Sequence, residues 1–251
     1  MNINKYLTTD CDILEFDSLG STNDTAKELG LQNARENTVI IAKRQTAGRG
    51  RLGRQFYSPE QSGIYMSIIL RPDFKAENAT FITVAAAVAV AEVLDLLCRT
   101  NTKIKWVNDI YLNNRKVCGI LTESTFTGNG FFSVLGIGIN LYSPENDFPS
   151  ELKEIAGAVL YTKPDEDLKA KIIAAIIDRF EYYYNNLTDK KYLTVYREKS
   201  NLIGKKVKFL EDGKEITASV HGINDDAHLI VKLESGEIKE LFAGEVSVKL
   251  K

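Results

Sequence analysis

Gly48-Arg49-Gly50-Arg51-Leu52-Gly53-Arg54 is a glycine-interrupted cationic loop with little local means of holding itself folded. Each glycine raises the entropic cost of ordering by roughly 0.5–1 kcal/mol relative to alanine, and three fall within this stretch. No acidic residue occurs between Glu36 and Glu60, so Lys43, Arg44, Arg49, Arg51 and Arg54 have no carboxylate close by in sequence. A bound phosphate or carboxylate would neutralise them and supply the ordering energy, so the loop is expected to close over an anion. Alone, such a loop is more often a solvated turn or a nucleic-acid contact. Its flanks decide its meaning.

On the N-terminal side, Ser21-Thr22-Asn23-Asp24 and Gly30 are start and stop signals for a short helix, and Val39 to Ala42 reads as a buried strand. On the other side, Ile64 to Leu70 has the β-branched and aromatic character of a strand, ended by Pro72. A long helix over about residues 78 to 98 is predicted to follow. Lys103 to Trp106 and Asp109 to Leu112 read as short strand pieces, and Asn113-Asn114 supplies turn chemistry before a strand at Val117 to Thr122. Lys116 then falls at a hairpin edge. The strand Phe131 to Leu141 contains Gly136 and Gly138, whose missing side chains let a ligand lie against the backbone. Leu168, Ile172, Ile173, Ile176, Ile177 and Phe180 follow helical spacing within 165 to 187, and a further helix is predicted over 190 to 199. Past Leu202 the pattern changes to short alternating runs separated by Asp212-Gly213 and Ser235-Gly236, the texture of a small all-β domain.

A chain of 251 residues, 44% hydrophobic and 26% charged, suits one substantial core plus a satellite domain. A net charge of −2 with a pI near 5.9 argues against nucleic-acid binding through a broad basic surface. The apolar run from Ile82 to Leu97 is broken by Thr83, Glu92 and Asp95 and is short for a bilayer span, so it reads as a buried core helix. Met1-Asn2-Ile3-Asn4-Lys5 lacks the regions of a secretory signal, so a cytoplasmic location and no membrane association are expected. Cys11, Cys98 and Cys118 are odd in number and widely spaced, which suits reduced thiols. His221 and His228 are the only histidines and lie far along the chain, which disfavours Ser-His-Asp and zinc-hydrolase chemistry.

Four segments stand in a fixed order: Ser21-Thr22-Asn23; Gln45 to Arg54; Lys105-Trp106-Val107-Asn108-Asp109 with Lys116 to Leu121; and Gly136-Ile137-Gly138-Ile139-Asn140. In that order and spacing they resemble biotin-protein ligase, in the form lacking an N-terminal DNA-binding domain. The resemblance covers nearly the whole chain. It implies an α+β fold, with a mixed β-sheet covered by helices as in class II aminoacyl-tRNA synthetases and the biotin-lipoate ligases, over residues 1–200. A C-terminal SH3-like β-barrel domain is implied over 201–251. The implied reaction joins biotin to ATP as biotinyl-5′-adenylate, then passes the biotinyl group to a lysine of a biotin carboxyl carrier protein. ATP, Mg2+ and biotin are substrates or activator, without a tightly bound prosthetic group. Preorganised cations and backbone amides suit the charge that both steps develop beside phosphate.

By this resemblance Ser21, Thr22, Asn23, Gln45, Gly48 and Gly119 belong to the biotin pocket, and Arg49, Gly50 and Arg51 contact the biotin carboxylate and the adenylate. Lys116 is implied as the main electrostatic catalyst, with Arg51 beside it. Arg54, Phe56, Asn108, Asp109 and Asn140 are implied on the nucleotide side, Phe56 packing on adenine. Asn108 and Asp109 have an indirect magnesium role, and no residue is assigned as a metal ligand. Two positions depart from the family: Val107 replaces a proline, relaxing a rigid turn, and Phe56 replaces a tryptophan, offering less stacking surface. Only twenty residues precede Ser21, too few for a helix-turn-helix domain, so no sequence-specific DNA binding is expected. A homodimer is compatible with the sequence.

Blander readings exist for each piece. Ser21 to Asn23 can be a helix cap, Lys116 a hairpin-edge lysine, and the glycines at 136 and 138 a bulge. Cys118 reads as a core residue, and the histidines as surface positions. The alternatives to biotin ligation are a lipoate-protein ligase of the same architecture and a non-catalytic nucleic-acid-binding protein.

Overall fold

The structure, a computed structural model, describes all residues except 61, 75–78, 129, 145–147, 243–245 and 249–251. The first sheet is built from β1 (Asp12–Leu19), β2 (Thr38–Gln45), β3 (Gly63–Leu70), β4 (Lys103–Lys105), β5 (Asp109–Leu112), β6 (Arg115–Thr127) and β7 (Gly130–Asn140). Its strand order is β1-β2-β3-β7-β6-β5-β4. Only the β1–β2 pair is parallel; the others are antiparallel. The sheet is therefore mixed, and its helices are α1 (Thr22–Leu31), α2 (Ala79–Cys98), α3 (Glu166–Tyr184) and α4 (Tyr192–Lys199).

Strand periodicity sorts the side chains onto two unlike faces. From β3, Ile64, Met66, Ile68 and Leu70 join the main core with the apolar residues of α2, α3 and α4. The alternate residue Ile69 joins a smaller cluster under α1 with Ala26, Ile40, Phe132 and Val134. Helix α2 is buried nearly all round from Ile82 to Leu94, and its alanines and valines let the sheet and α3 approach closely. Its twenty residues make it longer than the 82–97 run, and by length and composition it could cross a bilayer. Its burial makes it the core helix that the sequence reading expected. On the opposite face Gly30 lets α1 settle on the sheet, since a Cβ there would lie 2.3 Å from the Phe132 ring.

The helix start signals act where expected, whereas Gly30, read as a stop, lies inside α1, which ends at Leu31 with Gln32 as its C-cap. Ser21 caps α1, its Oγ facing the Asp24 N–H at 3.5 Å, and Asp165 caps α3 by accepting from the Leu168 N–H at 2.7 Å. Asn113 and Asn114 both take the left-handed conformation that a tight β5–β6 turn requires.

The second sheet, order β11-β10-β9-β8-β12, is formed by β8 (Lys206–Glu211), β9 (Lys214–Ile223), β10 (Leu229–Leu233), β11 (Ile238–Leu241) and β12 (Val246–Val248). It is antiparallel throughout and forms the small SH3-like unit. Its attachment is specific. The Trp106 Nε1–H donates to the Ala227 carbonyl at 2.8 Å, and the Asn201 N–H donates to the Ile104 carbonyl at 3.0 Å.

The three cysteines are free thiols, with Cys118 fully buried between the main sheet and its helices. Burial pushes the Cys118 thiol far up, and the Cys11 and Cys98 thiols up to about 11. An unfolded thiol ionises near pH of about 8.5, whereas the native ones hold their protons longer. The native state then binds more protons than the unfolded one, so this contribution lowers stability as pH rises above about 8.5. At pH 8, iodoacetamide should modify Cys118 only after unfolding in urea. Equal rates for native Cys118 and Cys11 would contradict this packing.

Candidate active site

The face carrying α1 is covered over only part of its length, and the uncovered part is a cleft. Along β7 the side chains on this face run Phe132, Val134, Gly136, Gly138: two apolar residues under the helix, then two positions without side chains. On β6, Gly119 pairs with Gly138 and Leu121 with Gly136, so the glycines form a continuous floor. The cleft is open at its mouth and is lined by the first turn of α1, the end of β2, the loop 49–56, the segment 105–109 and the facing stretches of β6 and β7.

One end of the cleft is a buried polar network around the first turn of α1. Gln45 Oε1 accepts from the Thr22 N–H at 2.8 Å and from the Thr22 hydroxyl at 3.0 Å, while its Nε2 donates to Ser58 Oγ at 2.9 Å. Ser67 Oγ lies 2.8 Å from Thr22 Oγ1 and donates to Asn23 Oδ1 at 2.7 Å. The Asn23 Nδ2 donates to Glu123 Oε2 at 2.8 Å. Every side chain here is held by another, which fixes its rotamer and aims the remaining lone pairs and protons into the cleft. Ser67 was not singled out from the sequence, although a serine in the apolar strand Gly63 to Leu70 was a visible signal. Glu123, a carboxylate in the middle of β6, is a second such signal.

The other end is charged. Lys116 Nζ lies 2.6 Å from Asp109 Oδ1, and the geometry directs no hydrogen bond at that buried oxygen. Asn108 donates from Nδ2 to the Ile120 carbonyl at 2.7 Å and accepts at Oδ1 from Arg51 Nη1 at 3.1 Å. The Trp106–Val107 peptide is cis, and the Val107 carbonyl accepts from the buried Tyr196 hydroxyl at 2.9 Å. The segment from 105 to 109 is thus gripped on both sides, by α4 and by the second sheet domain, from which Val246 also reaches the cleft.

The cationic loop roofs the cleft, and here the sequence expectation needs correction. It is a small hairpin: Arg49 bridges Gln55, the Gly50 N–H donates to the Arg54 carbonyl at 2.8 Å, and Leu52 and Gly53 take left-handed conformations at its tip. Part of its charge is compensated by the protein, at Arg49. Arg49 donates to Asp24 through Nη1 and to Glu123 Oε1 through Nη2 at 2.6 Å. The hydrogen bond to Asp24, then the charge of Glu123, raise the Arg49 guanidinium above its ordinary pKa. Lys43 pairs with Asp17 at 2.7 Å. The carboxylates missing from the local sequence come from other elements.

Ser21, Thr22, Asn23, Gln45, Arg49, Gly50, Arg51, Arg54, Phe56, Asn108, Asp109, Lys116 and Gly119 all line this one cleft. Gly48 lies just behind the wall, where a Cβ would sit 2.5 Å from the Phe56 carbonyl. Asn140 is brought elsewhere: it is buried off the wall, its Nδ2 donating to the Gly157 carbonyl at 3.1 Å. Phe56 lies on the glycine floor, since a Cβ at Gly138 would be 2.7 Å and one at Gly119 3.3 Å from its ring.

Comparison with known proteins agrees with this arrangement. A family described as "Biotin/lipoate A/B protein ligase family" matches residues 15–140, and "Biotin protein ligase C terminal domain" matches residues 202–249. The chain is 34% identical over 240 residues to the bifunctional ligase/repressor BirA of Bacillus subtilis, covering 94% of this chain and 74% of that protein. It is 41% identical over 126 residues to the biotin--[acetyl-CoA-carboxylase] ligase of Paracoccus denitrificans, covering 48% of this chain and 51% of that one. The biotin protein ligase of Aquifex aeolicus, solved in complex with biotin and ATP, superposes with a TM-score of 0.78 at 27% identity, covering 96% of this chain and 99% of that one. The chain therefore belongs to the biotin/lipoate A/B protein ligase family. Agreement along its length, C-terminal module included, puts it with the biotin protein ligases of that family.

The floor gives a stability test. A Cβ at Gly136 would lie 2.1 Å from Asn23 Oδ1, an atom that Ser67 holds in place, whereas one at Gly20 meets nothing within 4 Å. Gly136→Ala should cost about 1–3 kcal/mol in urea unfolding, as overpacking does, and Gly20→Ala should be near neutral. Equal effects would mean that the floor is not tight.

Proposed function

We propose that the chain activates biotin with ATP as biotinyl-5′-adenylate and transfers the biotinyl group to one lysine of a biotin carboxyl carrier protein or domain. The observation that carries this reading is the polarity of a single cleft. A hydrogen-bonding network of Thr22, Asn23, Gln45, Ser58 and Ser67 stands at one end, Lys116, Asp109 and Arg51 stand at the other, and a glycine floor overlain by Phe56 lies between. A biotin ureido ring presents two N–H donors and a carbonyl acceptor. Thr22 Oγ1 suits a donor, and the second Asn23 Nδ2 proton and the Ser21 hydroxyl suit the acceptor, while Gln45 Oε1, engaged twice by Thr22, holds that residue in place. Lipoate offers a dithiolane with no such groups, and would leave buried polar atoms unpaired, a defect that discriminates strongly.

In the first half-reaction a biotin carboxylate oxygen attacks the α-phosphorus of ATP and pyrophosphate leaves. In the second the carrier lysine amine attacks the acyl carbon, AMP leaves, and the amine gives up a proton. Both steps build charge on oxygens around phosphorus or the acyl carbon. Lys116, oriented in advance by Asp109, would stabilise that charge without reorganising. Among the described residues no group of three His, Cys, Asp or Glu could hold a metal. Magnesium would accompany the nucleotide phosphates and neutralise their charge, with Asn108 and Asp109 acting on it only indirectly. We place the catalytic domain over residues 1–200, the C-terminal domain over 201–251, and the enzyme in the cytoplasm.

Incubation with biotin, magnesium-ATP and a biotin carrier domain should add one biotinyl group to the carrier by intact mass. An unmodified carrier, or equal use of lipoate, would overturn the reading. Lys116→Ala should slow pyrophosphate release by about 100- to 1,000-fold, the effect of removing one preorganised charge-stabilising group. Arg51→Gly should open the roof, release adenylate and label unrelated lysines, which a biotin blot against a bystander protein would detect. Unchanged selectivity would remove Arg51 from that role.

A further inference from the structure

We infer that Glu123 is a positioning residue that ties the arginine loop to the ureido-facing end of the cleft. The inference deepens the biotin-ligase reading and, for its ligand-binding half only, rests on it. Glu123 is a charged residue in mid-strand whose two oxygens serve two different elements. Oε2 accepts from Asn23 Nδ2 at 2.8 Å, on the first turn of α1, and Oε1 accepts from Arg49 Nη2 at 2.6 Å, on the roofing loop. Asn23 is anchored on its other side by Ser67, and Arg49 by Asp24, which also belongs to α1.

The geometry makes one carboxylate a shared anchor. The Asn23 amide cannot swing from its place without releasing an oxygen of Glu123. Arg49 cannot lift with the loop without taking its guanidinium away from Asp24 and from Glu123 Oε1. Because Glu123 and Asp24 already neutralise Arg49, the glycine-rich hairpin is held over the cleft by the protein's own charges. The anchor is partly solvated: the side chains of Arg49, Asp24 and Glu123 are 42%, 48% and 31% exposed. It therefore biases the loop modestly and leaves it able to open for substrate.

Hydrogen exchange of a peptide covering residues 46–57, in the ligand-free full chain, tests the loop half without any substrate. Glu123→Gln keeps one acceptor oxygen for two donors, and Glu123→Ala keeps none. Exchange should rise by about threefold in the first and up to about tenfold in the second, as expected for losing a partly screened charged hydrogen bond. In an Arg49→Gln background the Glu123 substitutions should add nothing further. Unchanged exchange, or effects that simply add, would overturn the anchor. Should the Glu123 variants fail to fold by circular dichroism, the Asp24→Asn and Arg49→Gln pair reads the same roof through the same non-additivity.

Calorimetric titration tests the other half. Biotin affinity should fall by about tenfold in Glu123→Ala, and this loss should persist in the Arg49→Gln background, because it acts through Asn23. Affinity for a non-hydrolysable ATP analogue should change far less. Equal losses for both ligands would show general damage and overturn the positioning role. If the wild-type chain binds no biotin, the reading of the pocket fails while the exchange result still stands or falls alone.

Discussion

The organising constraint is the two-sidedness of one mixed sheet. Its one face is sealed by an alanine- and valine-rich helix, so that Ile64, Met66, Ile68 and Leu70 of β3 and Leu135, Ile137 and Ile139 of β7 all disappear into a single core. This burial fixes the strand register, because a slip by one residue would turn those side chains outward. The alternate positions are then free to be chosen for something other than packing. Close to α1 they are Ile69, Phe132 and Val134; farther along they become Ser67, Gly136 and Gly138. A stable scaffold on one side thus permits a strip of glycines and buried polar groups on the other, with Asn23 and Phe56 resting on the glycines.

Polar residues on that strip are arranged in series. Glu123, Asn23, Ser67, Thr22, Gln45 and Ser58 follow one another through hydrogen bonds from β6 across α1 and β3 to the end of β2. Such a series restricts each member to few rotamers, so the cost of orienting binding groups is met during folding and not during ligand capture. The charged end is similarly prepared: Lys116 and Asp109 face one another, and the backbone around Val107 is fixed by Tyr196 and Trp106.

Much of this was legible in the sequence, for local reasons. Helix α1 was marked by Ser21, the β5–β6 turn by Asn113-Asn114, and the second sheet by alternating runs with Asp-Gly and Ser-Gly turns. These signals act over a few residues and do not depend on the rest of the chain. What could not be read was pairing over distance. The partners of Arg49 lie 25 and 74 residues away, and Asn23 meets Glu123 across 100 residues. A search for neutralising carboxylates limited to neighbours missed them, so the sequence reading left Arg49 without the acids that face it. The Asn140 Nδ2 donates to the Gly157 carbonyl, 17 residues away, another contact that no local signal announces.

Phe56 has a consequence for the shape of whatever enters. Its ring rests on a patch of sheet where two paired strands both lack side chains, with Tyr65 at 6.5 Å meeting it edge-on. One aromatic residue therefore sets how deep the trough is, much as a shim sets a gap. A bulkier ring at this position would raise the bed and narrow the channel, while a smaller residue would deepen it. The room left in the trough is thus limited from beneath, by the size of a single ring.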